Sequence, residues 1–304
     1  MAIRLGTRGS TLAMIQATTV AALLEPLTGP VEIVKIRTSG DADNRERLGA
    51  FVSEIQESLA RGEIDLALHC LKDVPTTGLD GLTFAAYLKR EDPRDALLTL
   101  GGGLDDLPQG AVVGTGSLRR TSQLALLRPD LTFKPLVGNV DSRVRKLVAG
   151  EYDAIVLAMA GLIRMGWTSN VPEGVSYQAL SPETMLPAPG QAVLVLQARE
   201  NDVVLDAVAP LNDRETETCS IAERAFLNRF GGGCSVPVAT LASAPGSEVS
   251  LTGLVCSPDG TRSFRGEICG DDAEGLGRAL AEKLGGQGGF SIVEDVLASR
   301  QALV

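Results

Sequence analysis

Lys72 and Asp73 stand side by side in His69-Cys70-Leu71-Lys72-Asp73-Val74-Pro75, directly after the apolar run from Ile64 to Leu68. A strand ending there places both at its carboxyl end, where ligands bind in open α/β sheets. A carboxylate so placed suits proton transfer or the stabilising of positive charge; a turn or cap aspartate paired with Lys72 is the other reading. Cys234 follows Gly231-Gly232-Gly233 and precedes Ser235-Val236-Pro237-Val238, which puts its thiol at a loop tip. Such a thiol is open to an electrophile, although most loop cysteines are unreactive. Three strand-to-helix turns carry cations: Gly6 to Ser10 with Arg8, Gly114 to Ser117 before Arg119 and Arg120, and Gly138-Asn139 before Arg143, Arg145 and Lys146. Ser117 sits where it caps a helix beginning at Leu118, so Arg119 and Arg120 fall among that helix's unpaired first-turn N–H groups. Cations there oppose the helix dipole, and an anionic ligand resolves the conflict by drawing N–H groups, dipole and guanidinium groups together. A solvated arginine pair is the alternative.

Composition narrows the chemistry. The 304 residues carry a net charge of −10, from 28 basic and 38 acidic side chains, which gives no general support to nucleic-acid or anionic-membrane binding. Between Thr115 and Lys146, however, Arg119, Arg120, Arg128, Lys134, Arg143, Arg145 and Lys146 face only Asp130 and Asp141, a basic island suited to a small anion. The odd set of Cys70, Cys219, Cys234, Cys256 and Cys269 lacks Cys-x-x-Cys spacing, so neither a disulfide framework nor a zinc site is indicated. His69 is the one histidine, which leaves no multi-histidine metal site. Its alternation along a strand favours a hydrogen-bonded structural role, and Cys219, Cys256 and Cys269 read as small buried hydrophobes. The N-terminus MAIRLGTRGS has no basic-then-apolar leader, so the cytoplasm is the expected compartment.

The elements that must hold these residues read as α/β. Apolar runs at Glu32 to Ile36, Ile64 to Cys70, Val112 to Gly114 and Ala154 to Met159 are each followed by a turn and helical sequence, the pattern of a mostly parallel sheet wrapped by helices. The turn Gly6 to Ser10 echoes Gly114 to Ser117, and Gly62-Glu63-Ile64-Asp65 echoes Gly150-Glu151-Tyr152-Asp153, hinting at two lobes of like construction. The expected domains are residues 1–90 with 188–210, residues 91–187, and residues 211–304. The last, a small α+β unit, takes a helix at Glu215 to Arg229, strands near 236–241, 251–256 and 263–268, and a helix at Ala273 to Leu284.

His-x-x-Lys-Asp-Val-Pro, Arg90-Glu91-Asp92-Pro93-Arg94-Asp95-Ala96 and Gly114-Thr115-Gly116-Ser117-Leu118-Arg119-Arg120 together resemble the hydroxymethylbilane synthase (porphobilinogen deaminase) family. So do Tyr152-Asp153-Ala154-Ile155 through Leu162, Ala222-Glu223-Arg224-Ala225-Phe226 and Gly232-Gly233-Cys234-Ser235-Val236-Pro237-Val238. The resemblance implies two hinged α/β domains like those of periplasmic binding proteins plus a C-terminal domain. It implies a cytoplasmic monomeric transferase that joins porphobilinogen units on a dipyrromethane cofactor held by Cys234 through a thioether. It further implies that Asp73 meets the pyrrole N–H groups while ammonia leaves and an azafulvenium cation forms. Lys72, Ser117, Arg119, Arg120 and Arg143 would bind the cofactor or growing chain, and Arg8, Ser10 and Arg164 the entering substrate; no metal is implied.

The chain departs from the family pattern at Val137, where an arginine is usual, in a shortened 40–51 lid segment that retains Arg45 and Arg47, and at Ala192, where Gly-Gln-Gly usually ends in glycine. These departures suit a second reading, a two-lobed protein that binds anionic pyrroles or other small anions without joining them.

Overall fold

The computed structural model describes residues 2–38, 52–231, 233–246 and 248–301, and for Cys234 and Gln301 the backbone alone. The chain packs as two units, Met1–Glu91 with Ala192–Thr218, and Asp92–Gln191 with Cys219–Val304. The first holds strands β1 (Ile3–Arg8), β2 (Val31–Ile36), β3 (Leu66–Cys70) and β4 (Leu82–Tyr87). The second takes β5 (Asp95–Thr99), β6 (Val112–Gly114), β7 (Thr132–Lys134), β8 (Ala154–Ala158) and β9 (Ser176–Leu180), before β10 (Leu194–Arg199) rejoins the first. The helices α1 (Thr11–Thr28), α2 (Ser53–Ala60), α3 (Leu118–Leu127), α4 (Val140–Val148), α5 (Met159–Arg164) and α6 (Val204–Val208) connect them.

The two five-stranded sheets have one topology. Their orders are β2-β1-β3-β10-β4 and β7-β6-β8-β5-β9. In each, the first three strands are parallel, the fourth is reversed, and the fifth runs against the fourth. The mostly parallel expectation therefore holds, and the reversed strand is the one that follows a crossing of the chain between units. The central strands β3 and β8 are buried almost throughout, as their unbroken apolar sequences require. At 18 residues α1 is long and apolar enough to span a bilayer by composition. Its Ala17, Val20 and Leu24 instead pack with Leu5, Leu66 and Leu68 of the sheet.

The sequence echoes turn out to be one structural device used twice. Gly62 and Gly150 take left-handed conformations, φ 72° and 75°, that glycine adopts without strain. Ile64 and Tyr152 then lie against Gly6 and Gly114, so close that a Cβ would come within 2.3 Å of Ile64 Cδ1 or 2.7 Å of Tyr152 Cδ1. One residue on, Asp65 Oδ2 accepts from Arg4 N at 2.9 Å, and Asp153 Oδ2 from Val112 N at 2.7 Å. The backbone N–H groups of the same aspartates return to Arg4 O and Val112 O. Each echo thus locks the first strand beside the central one.

The rest of the second unit is an antiparallel sheet of β11 (Val238–Ser243), β12 (Val249–Cys256) and β13 (Ser263–Gly270), covered by α7 (Arg214–Phe230) from Cys219 onward, α8 (Ala273–Leu284) and α9 (Phe290–Gln301). Phe226, Phe230, Leu280, Leu284 and Ile292 fill that core, while Ala239, Leu254 and Cys256 pack on Leu186 from the opposite face. The turn after β12 presses on α3: Gly260, at φ 73°, leaves only 2.4 Å between an added Cβ and Leu126 N, and the Cys256 thiol donates to Ser122 O at 3.4 Å. Asp259 holds this turn by accepting from Ser257 Oγ and Thr261, contacts that keep its carboxyl at about 2. No element is expected after Ala273 to Leu284; α9 follows the glycine-rich stretch Gly285–Gly289.

Gly114→Ala should destabilise the chain by about 1–3 kcal/mol in urea unfolding, through overpacking against Tyr152. An unchanged midpoint would show that Tyr152 moves aside freely.

Candidate functional site

Asp73 is presented by two apolar anchors. The short turn Leu71–Asp73 follows β3 directly, with Leu71 and Val74 buried among Tyr87, Val193 and Val195. Leu71 N donates to Val193 O and Val74 N to Leu71 O, both at 3.0 Å. Between these anchors Lys72 and Asp73 are half-buried. Among the described residues, no donor or cation meets the Asp73 carboxylate, so neither the capping role nor the pairing with Lys72 is seen. Arg8 ends β1 and Arg164 ends α5, each half-buried, while Ser10 caps α1 by accepting from Ala13 N at 3.3 Å.

Within the second unit, two helices begin without a side-chain cap. Ser117 occupies the N-cap position of α3 and Asn139 that of α4, and neither side chain bonds the first turn. Position was legible in the sequence; the expected capping bond from Ser117 is not made, and its own N–H donates instead to Thr115 Oγ1 at 3.2 Å. Arg143 Nε donates to Gly138 O at 2.8 Å, which folds the side chain back over the N-terminus of α4. Val137, beside it, is 52% exposed.

Arg119 and Arg120 are neither solvated nor turned wholly to a ligand. They are 5% and 7% exposed and converge on Asp95, which is 0% exposed. Arg119 Nη1 donates to Asp95 Oδ2 at 2.6 Å and to Leu186 O at 2.9 Å. Arg120 gives Nη2 and Nε to Asp95 Oδ1 at 2.8 and 3.2 Å, and Nη1 to Val156 O at 2.7 Å. Gln191 Nε2 also donates to Asp95 Oδ1, at 3.0 Å. The conflict between cations and helix dipole is therefore relieved in part from inside the fold. Arg128, counted in the basic island, is likewise committed to Asp130 and the carbonyls of Leu104 and Leu107. Sequence reasoning passed over Asp95 and Gln191. It also missed Glu223, whose buried carboxylate accepts from Gly190 N at 2.7 Å and Ala242 N at 2.8 Å. A lone acid inside a motif carries no spacing signal for such a role.

Ala192 has φ 74°, a conformation that glycine takes freely and alanine takes at a cost on the order of 1 kcal/mol. The departure from Gly-Gln-Gly is thus felt in the backbone. Cys234 belongs to the short turn Gly233–Ser235, between left-handed Gly231 and Gly233 and the buried anchors Val236 and Val238. Its thiol, like the 40–51 segment with Arg45 and Arg47, lies outside the described residues. Cys219 and Cys256 are buried as expected, and burial pushes the Cys256 thiol up to about 11. Cys269 is exposed instead, because β13 turns alternate residues to solvent. No group of acidic, cysteine and histidine side chains suited to a metal occurs among the described residues.

His69 is buried in β3, and burial pushes its ring down to about 4 against a raising hydrogen bond with Gln197. An unfolded imidazole takes up its proton near 6.5 and the folded one only near 4, so acidification across that window favours unfolding. The chain should lose roughly 3 kcal/mol of stability from this group as pH falls from 6.5 to 4. Urea unfolding of the parent and of His69→Leu at several pH values checks this: the variant should have the flatter profile, and equal slopes would refute it.

Two family profiles cover most of the chain. One described as "Porphobilinogen deaminase, dipyromethane cofactor binding domain" matches residues 3–207, and one described as "Porphobilinogen deaminase, C-terminal domain" matches residues 217–286. A porphobilinogen deaminase of Syntrophus aciditrophicus (strain SB) is 44% identical over 304 residues, covering 96% of this chain and 98% of its own. One of Bacillus subtilis (strain 168) is 41% identical over 305 residues, covering 97% and 96%. Among solved structures, the VFT2 domain of Bordetella pertussis BvgS is similar over 68% of this chain and 85% of its own, with 17% identity and a TM-score of 0.45.

Proposed function

This chain belongs to the porphobilinogen deaminase family, and from that premise we propose how its residues divide the work of joining porphobilinogen units into hydroxymethylbilane. It is a transferase of tetrapyrrole synthesis, a reading the family supports over that of a non-catalytic binding protein. Dipyrromethane, when bound, supplies the primer on which the first unit is joined. The residues fit an anionic pyrrole chain: α3 and α4 both start at cap-competent side chains that make no cap, beside Arg119, Arg120 and Arg143. N–H groups at helix starts, reinforced by guanidinium groups, favour carboxylates there.

The observation that carries the catalytic reading is the Asp73 carboxylate, held out at the end of β3 with no internal partner among the described residues. As ammonia leaves the substrate's aminomethyl group, positive charge develops on the pyrrole. A fixed carboxylate opposes that charge and accepts from the pyrrole N–H. Lys72 and Ser117, with Arg119, Arg120 and Arg143, hold the cofactor and growing chain by their acetate and propionate groups. Arg8, Ser10 and Arg164 receive the incoming substrate, Ser10 by its hydroxyl hydrogen while its oxygen caps α1. Cys234 is the attachment point, on the short turn Gly233–Ser235 that follows left-handed Gly231. The working organisation is three domains, 1–90 with 188–210, 91–187 and 211–304, in a cytoplasmic monomer that engages neither nucleic acid nor membrane.

Two variants test this. Asp73→Asn should keep its thermal transition and lose porphobilinogen consumption by about two to three orders of magnitude, since only the carboxylate carries charge. Near-normal turnover would remove Asp73 from the chemistry. The intact parent should carry a covalent mass addition of dipyrromethane size, and Cys234→Ser should lack it. Persistence of that addition, or its mapping to Cys70, Cys219 or Cys269, would move the attachment elsewhere.

A further inference from the structure

The cluster around Asp95 lies inside one unit, and the other unit supplies its comparison. Asp95 pairs across the sheet with Ala158, the last residue of β8; in the first unit Leu194 pairs with Cys70, the last residue of β3. The two sheets share strand order and direction, so Leu194 and Asp95 occupy the same place. Leu194 packs among Leu5, Leu68 and Leu196 and, from α1, Ala17 and Val20. The architecture is thus satisfied by a leucine here. A fully buried carboxylate is not needed to build the sheet, and its desolvation is offset only by its partners.

Those partners belong to α3. Arg119 and Arg120 are its second and third residues, where α1 has Leu12 and Ala13. One carboxylate therefore fixes both long side chains at the start of a helix whose N-cap side chain makes no cap bond. Gln191, by bonding Asp95 Oδ1 and Pro93 O, in turn fixes the carboxylate.

We propose that Asp95 is a positioning residue: it touches no ligand, and it sets the direction from which Arg119 and Arg120 meet carboxylates at the N-terminus of α3. The proposal rests on the reading above that this helix start receives the acidic side groups of the pyrrole chain. A fold-only role would make Asp95 matter to unfolding and not to ligand handling; a positioning role makes it matter to both.

The test uses the full chain carrying Asp95→Asn, Asp95→Glu or Arg119→Leu. Each is followed by intact mass, porphobilinogen consumption and thermal unfolding. Asp95→Asn keeps the size and loses the charge; Asp95→Glu keeps the charge and displaces it by one methylene. Folded Asp95→Asn should carry the covalent addition on a minor fraction of molecules, and that fraction should show KM raised about tenfold or more with a smaller change in kcat. If Asp95→Asn does not fold, Asp95→Glu decides by the same readouts. Full mass addition with KM within about twofold of the parent, in whichever variant folds, overturns the proposal. So does failure of both variants to fold, which assigns Asp95 to the fold alone. Should Arg119→Leu itself load and turn over normally, the reading of α3 as the anion site fails. An impaired Arg119→Leu beside an indifferent Asp95→Asn sinks only the positioning role.

Discussion

The contact on which each α/β half depends is the approach of a side chain to a bare glycine: Ile64 to Gly6 in one unit, Tyr152 to Gly114 in the other. With the aspartate one residue later bonding the first strand's N–H, it holds first and central strands parallel and in register. Parallel strands direct their carboxyl ends the same way. In the first unit that brings Arg8, Ser10, Lys72 and Asp73 to one edge of the sheet. In the second it does the same for Ser117, at the cap position of α3, and for Arg119 and Arg120 in that helix's first turn. The candidate site residues of each unit are gathered by packing in which their own side chains take no part.

Much of this was legible in the sequence because each part has a local signature. Val112–Gly114 and Ala273–Leu284 appear at the expected bounds, since a short apolar run and an amphipathic run each end in a clear breaker. The echo of Gly62 to Asp65 in Gly150 to Asp153 was visible because the constraint sets a glycine, a large side chain and an aspartate within four positions. The place of Asp73 just past a strand was readable because an apolar run ends before it. What stayed hidden is the set of pairings over long separations: Asp95 with Arg119 and Arg120, Glu223 with Gly190 and Ala242, Gln56 with Gln197. Hydrophobic period says which face is buried, and it says nothing of a polar residue buried there with a partner.

The two halves differ where charge enters the interior. The first half meets the α1 start with leucine and alanine and caps it with Ser10. The second withholds the cap, adds two guanidinium groups and holds both from beneath with the single negative charge of Asp95. Such a cluster contributes little net stability, because desolvation offsets most of the Coulombic gain. Its worth lies in geometry: one frame has become two surfaces of different charge through exchanges at a few equivalent positions.

The turn at Gly260 has a consequence for how sequence change in this chain is interpreted. It lies some 140 positions along the chain from Arg119 and Arg120, yet its backbone rests on the last turn of the helix that carries them. Any side chain there must displace α3 or leave the left-handed conformation of the turn. A change at this glycine would look, on a linear map, like a harmless surface-loop substitution, and its effect would fall on the helix that carries the buried Asp95 cluster.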